Sequence, residues 1–190
     1  MVLSSQYFPS IPWMQMCLQQ QEVAIDQWEN YQKQGLMNRC KILGAQGIIT
    51  LSVPLVGGRE QKSLLKDVKI NNSSRWNIDQ LRAIKSCYSK APFFEYYFGP
   101  VENLLTKKND FLLDLNMDAL ELLLKWFRFQ PKPALTNAFV ADRFKNVAEF
   151  KSVIKPVSYL QVFSDRRPFE PGLSVLDALF CMGPQAKELF

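Results

Sequence analysis

The sequence predicts an α/β fold: a single domain, residues 1–190, built on a central mixed β-sheet with flanking helices and a β-hairpin insertion. Three observations carry this expectation. The chain opens with a strand, turn, helix, strand order up to Ile25; two apolar segments, 40–43 and 48–53, flank a glycine-bounded turn; and longer stretches with helical apolar spacing follow. At 190 residues and 47% hydrophobic content, the chain can bury one substantial core but is short for two.

Residues 2–8 read as a short buried strand, interrupted by Pro9 and Pro12, before Ile11, Met14 and Leu18 fall on one helix face. Val23, Ala24 and Ile25 make a second short strand ending at Asp26, and the crossover between the two suggests parallel pairing. Gly44-Ala45-Gln46-Gly47 then reads as a four-residue hairpin turn, and residues 67–70 alternate polar and apolar as a fifth strand. Ile78, Leu81, Ile84 and Tyr88 share a helix face, with Asn77 as N-cap and Gln80 closing a capping box; this helix ends before Pro92. Residues 101–107 predict a short helix. Asn116 is placed to cap a more apolar one through Phe129, stopped by Pro131 and Pro133. In the last third, residues 142–154 have helical spacing and 159–163 read as a strand. Ser174 to Asp177 open a helix through Met182 that Gly183-Pro184 stops, with a short terminal helix to Phe190.

The absence of histidine excludes Ser-His-Asp and Cys-His catalysis and imidazole-bound zinc. No P-loop or dinucleotide fingerprint occurs, which argues against ATP hydrolysis and NAD chemistry, and no cofactor is expected. Cys17, Cys40, Cys87 and Cys181 are scattered without a C-x-x-C pair and read as buried free thiols. The net charge of +5 is dispersed, with only Lys107-Lys108 and Arg166-Arg167 as adjacent basic pairs. An anionic small molecule accounts for it, and no nucleic-acid partner is expected. No stretch approaches the ~18 apolar residues of a membrane span and no signal peptide is apparent, so a cytoplasmic protein is expected.

Ligands of α/β sheets bind beyond the carboxyl ends of strands, which singles out Asp26 and the segment from Tyr7 to Pro9. Asp26 could accept a proton from an amine or hydroxyl, or could merely turn the chain. Asn38-Arg39 precedes the hairpin, where a guanidinium could clasp phosphate or carboxylate or form a surface ion pair. Tyr31, Gln32 and Lys33 lie between and could hydrogen-bond a sugar or a peptide. Glu95 sits in the aromatic run 91–98; buried, it would be an acid-base candidate, and exposed, an ordinary surface charge.

Several segments, in order, resemble the WbqC-like protein family. They are Tyr7-Phe8-Pro9, Ile25-Asp26, Tyr31-Gln32-Lys33, Asn38-Arg39-Cys40-Lys41-Ile42-Leu43, Leu51-Ser52-Val53-Pro54 and Asp67-Val68-Lys69-Ile70, then Trp76 and the stretch from Tyr88 to Tyr97. Gln161-Val162-Phe163 and Leu173-Ser174-Val175-Leu176-Asp177 with Gly183-Pro184 are similar to the family's C-terminal signature. The resemblance implies transfer of glycine or a similar acyl group onto an amino sugar in bacterial O-antigen synthesis. It places Tyr7, Asp26, Tyr31, Asn38 and Arg39 around the site. Some members carry histidine near Gln80, and asparagine where this chain has Cys40, so Cys40 is not a candidate nucleophile.

Two readings follow. In the first, an acyl- or aminoacyltransferase acts on a nucleotide-activated amino sugar. Asp26, or Glu95, supplies the base, Arg39 binds phosphate, and Asn38, Tyr31, Gln32 and Tyr7 contact the sugar. In the second, the chain is a noncatalytic module that binds the sugar nucleotide or a partner of the same pathway. The sequence leaves homo-oligomerisation open.

Overall fold

The structure, a computed structural model, describes residues 1–58, 62–129, 132–141 and 157–190. Among these, strands β1 (Val2–Leu3), β2 (Ala24–Ile25) and β5 (Ala134–Leu135) form a three-stranded parallel sheet in the order β1-β2-β5. Strands β3 (Arg39–Gly44) and β4 (Gly47–Ser52) form a separate antiparallel hairpin. Helices α1 (Ile11–Leu18), α2 (Trp76–Tyr88), α3 (Phe94–Thr106), α4 (Leu112–Trp126) and α5 (Val175–Met182) complete the α/β architecture. Among the described residues the expected mixed sheet is thus two sheets, because the hairpin strands ladder only with each other.

The parallel pairing of β1 with β2 is as expected, with Val2 opposite Ala24 and Leu3 opposite Ile25. The predicted strand over 2–8 pairs only at its first two residues. Beyond Leu3 the backbone bonds elsewhere: the Ser5 N–H donates to the Glu29 carboxylate and the Tyr7 N–H to the Leu36 carbonyl. Phe8 then adopts a φ of 39°, a left-handed conformation costly for a large side chain. Contacts with the start of α5 hold it there, since the Ser174 hydroxyl donates to the Phe8 carbonyl at 2.9 Å and the Val175 N–H to the Pro9 carbonyl at 2.8 Å. Pro12 occupies the first turn of α1, where its missing N–H costs nothing.

The hairpin is tighter than expected, because Gly44 and Gly47 are themselves a ladder pair and only Ala45 and Gln46 turn. Gly47 has a φ of 126°, which a residue with a Cβ rarely adopts. Residues 67–70 make no strand. Leu65–Asp67 is a 3-10 turn, and the segment joins its surroundings through isolated bridges of Leu55 with Ile70 and Lys69 with Phe111.

Helix ends follow tertiary contacts more than capping chemistry. α2 begins one residue before the expected cap, and Asn77 instead donates to the Leu105 carbonyl. α3 starts at Phe94 and absorbs the aromatic run, with Pro100 inside it, because burying Phe94, Tyr97, Val101 and Leu105 outweighs the proline. α4 starts four residues before Asn116, where the Leu112 N–H donates to the Val68 carbonyl. It buries Leu113, Leu120, Leu123 and Leu124 among others, each stabilising by roughly 1.5–3 kcal/mol. Residues 162–166 form a turn in place of the expected strand. α5 matches its expected span, and Ser174 caps it by accepting from the Leu176 N–H. The 3-10 helix Gly183–Leu189 follows. The helix expected over 142–154 and the stop at Pro131 lie outside the described residues.

Candidate functional site

Burial of polar side chains is costly unless they are hydrogen-bonded, so their clustering marks where the fold has been arranged around polar chemistry. Such a cluster lies at the carboxyl ends of β1 and β2. Ser4, Ser5, Gln6, Ser10, Asp26, Glu29, Asn38 and Asn116 are all buried. Glu29 accepts from the Ser4 hydroxyl at 2.8 Å and from the Ser5 N–H at 3.3 Å. The Asn116 amide donates to the Ser5 hydroxyl at 2.9 Å and to the Met37 carbonyl at 2.8 Å.

Asp26 follows directly on β2, as its strand-end position implies, and is completely buried. Its Oδ1 accepts from the Trp28 N–H at 3.0 Å and the Thr136 hydroxyl at 3.1 Å, and its Oδ2 from the Val140 N–H at 3.3 Å. The carboxylate therefore ties the end of β2 to the segment after β5. Tyr31 donates to Asn38 Oδ1 at 2.9 Å, and Asn38 donates in turn to the Val53 carbonyl at 2.8 Å. This pair fastens the polar segment to the base of the hairpin, where Arg39 opens β3 with a partly exposed side chain. Gln32 is partly buried, with its N–H directed at Met37 Sδ.

Tyr7 is fully buried, and its hydroxyl donates to Gln80 Oε1 at 2.7 Å. Burial, with the neighbouring Cys40 adding to it, pushes the Tyr7 hydroxyl well above the usual tyrosine pKa, so it stays protonated. Glu95 stands apart, exposed on the first turn of α3, and α3 packs on α2, α4 and α5. Of its two open readings, the surface charge is the one that its exposure fits.

A second polar centre escaped the sequence reading. Asp177, on the buried side of α5, accepts from the Tyr88 hydroxyl at 2.8 Å, the Tyr159 hydroxyl at 2.5 Å and Gln161 Nε2 at 3.2 Å. Tyr88 in turn accepts from the Leu43 N–H at 3.0 Å, which links α5 to the hairpin through α2. Burial raises the Asp177 pKa, and the three hydrogen bonds partly oppose that rise. The signal is a lone acid inside the apolar run 173–180, which a capping box also accounts for.

Cys40 and Cys181 have thiols pushed up strongly by burial, and Cys17 is pushed up to about 12, which leaves them protonated and poorly nucleophilic. Among the described residues no group of three His, Cys, Asp or Glu side chains could hold a metal ion, and no helix is long and apolar enough to cross a membrane. Cavities of about 720 Å³ and 530 Å³ are present, and neither is lined by Asp26, Arg39 or the other sequence-derived site residues.

Against known proteins, the family model described as the WbqC-like protein family matches residues 4–149. No curated protein and no solved structure matches.

Proposed function

The chain belongs to the WbqC-like protein family, and from that membership we propose that it binds an amino sugar, carried on a nucleotide, in bacterial surface-polysaccharide biosynthesis. Acyl- or aminoacyl transfer to the sugar amine is the reaction this binding serves. The observation that carries the reading is the convergence of buried polar side chains at the carboxyl ends of the adjacent parallel strands β1 and β2, the usual ligand position of an α/β sheet. In this reading Tyr7, Tyr31, Gln32 and Asn38 orient the sugar and Arg39 meets the phosphate. The amine nitrogen attacks the acyl carbon of the donor, the bond from that carbon to the donor's carrier breaks with its electron pair leaving on the carrier, and Asp26 receives the amine proton.

A noncatalytic binding module is favoured by one specific observation. Both Asp26 oxygens already accept protein donors, and Glu95 is exposed on another helix. A thermal-shift screen against nucleotide-activated amino sugars tests the shared part, since a ligand at one hundred times its Kd stabilises by about 2.7 kcal/mol. No shift with any of them would remove the transferase and the sugar-nucleotide-binding module, leaving only a module that binds a partner. Mass analysis of a hit incubated with acyl and aminoacyl donors then separates the two. A transferase forms acylated sugar and loses turnover in Asp26→Asn, whereas a binding module forms none and its Asp26→Asn variant, checked for folding, still binds.

A further inference from the structure

The cavity of about 720 Å³ lies beside the hairpin turn, walled by the β3–β4 tip, the C-terminal end of α2 and residues 160–166. Its volume falls within the ~300–1,000 Å³ of small-molecule sites. The walls are held from behind. Gln161 donates to the Glu170 carbonyl and to Asp177, and accepts from the Glu170 N–H, so its side chain is fixed at both ends. Arg167 donates from Nε to the Ala45 carbonyl at 3.0 Å and pins the turn. A pre-formed cavity spares a ligand the cost of ordering its site.

The lining is two-sided. Ile48, Ile49 and Leu160 are large apolar residues left 44%, 38% and 80% exposed, and all three line this one cavity. Leu160 and the hairpin tip give the cavity an apolar border, with Ile48 and Ile49, consecutive in β4, on opposite faces of the hairpin. Lys90 and Arg166 also line it. Lys90 has no ion pair among the described residues, and Arg166 is paired only with its exposed neighbour Asp165, a weak competitor in solvent. Asp165 lines the cavity as well, so Lys90 and Arg166 leave its wall with one positive charge in excess, and the guanidinium of Arg167 lies close by against Gly47. Cys87 and Cys181 reach the cavity wall with thiols that burial keeps protonated, which fits reversible binding rather than covalent chemistry.

We infer that this cavity binds an amphipathic anion of small-molecule size, with its phosphate or carboxylate head on Lys90 and Arg166 and its apolar body against Leu160 and the apolar hairpin tip. The site shares no residue with the proposed sugar site, so the failure of either leaves the other standing.

Calorimetric titration of the full chain with octyl phosphate, kept below its micellar concentration, tests this. Inorganic phosphate and octyl glucoside serve as probes of the head and the body alone, and octanoate as the carboxylate arm. Octyl phosphate or octanoate binds saturably, and each single-feature probe binds at least about tenfold more weakly, the equivalent of 1.4 kcal/mol. Lys90→Ala with Arg166→Ala weakens binding by about tenfold or more, and Leu160→Ser, at an exposed position where folding is not at stake, by about threefold. Thermal melts confirm that the variants fold. Absence of saturable binding, equal binding of octyl glucoside, or indifference to these substitutions overturns the inference. Cosedimentation with phosphatidylglycerol vesicles in place of octyl phosphate or octanoate binding overturns it in favour of a membrane headgroup.

Discussion

Asp177 keeps its carboxyl where three donors and, among the described residues, no cation reach it, and this has a consequence for pH. Its folded pKa lies above the ordinary 3.8, so between that value and the folded one the native state holds more protons than the unfolded chain. Its stabilising contribution is therefore complete below the unfolded value and is lost as pH rises through the folded one. Melting temperatures of the wild type and Asp177→Asn, compared across pH, should shift against the wild type as pH rises from 3.8; a constant difference would contradict this. Gln80 poses a related case, since its Oε1 accepts from Tyr7 while its buried Nε2 has no partner among the described residues. Tyr7→Phe would orphan the oxygen as well and should cost about 1–3 kcal/mol in urea denaturation. Adding Gln80→Met, which removes the amide altogether, should recover much of that loss. Neither partnership was legible in the sequence, where Gln80 looked like a capping residue and Tyr7 like a strand residue.

At the level of elements, periodicity located the helices better than capping chemistry located their ends. Leu81 and Ile84 lie on the buried face of α2 as their spacing implies, yet α2, α3 and α4 have no side-chain N-cap hydrogen bond. The start of α4 is set by its bridge to residues 68–70, a contact that local sequence does not encode. Ser174 and Gly183 are the exception, since both ends of α5 were readable from local chemistry. Gly183 has a φ of 61°, and a Cβ there would collide with the Phe93 ring. Gly183→Ala should thus cost at least ~1–3 kcal/mol of backbone strain, read as a lowered urea midpoint with an unchanged slope. Alanine tolerated there without loss would show that the turn relaxes more easily than its geometry implies.

Across the whole molecule, α5 links distant parts of the chain. It contacts α1, α3 and β3, the Phe93 N–H donates to the Phe180 carbonyl, and the Phe180 ring packs on Tyr88 and Phe94. Phe180 is fully buried, so Phe180→Ala should remove ~3–5 kcal/mol by loss of burial and cavity formation. If the chain folds as one cooperative domain, near-ultraviolet and far-ultraviolet circular dichroism should still report one coincident transition in that variant. Two separated transitions would argue for independent units.

The sequence by itself determined the α/β class, the parallel pairing near the start, the hairpin, the span of α5 and the family signature. Each of these is written in local periodicity, glycine placement or contiguous motif. Tertiary structure alone decided which polar groups meet. Tyr7 meets Gln80 across 73 positions, Tyr88 meets Asp177 across 89 and Asn116 meets Ser5 across 111. It also decided the exposure of Glu95, which the aromatic run left open in both directions. The reason is physical: helical and strand periods tell which face of an element is apolar, whereas a hydrogen bond between distant segments exists only once the core has set their distance and orientation.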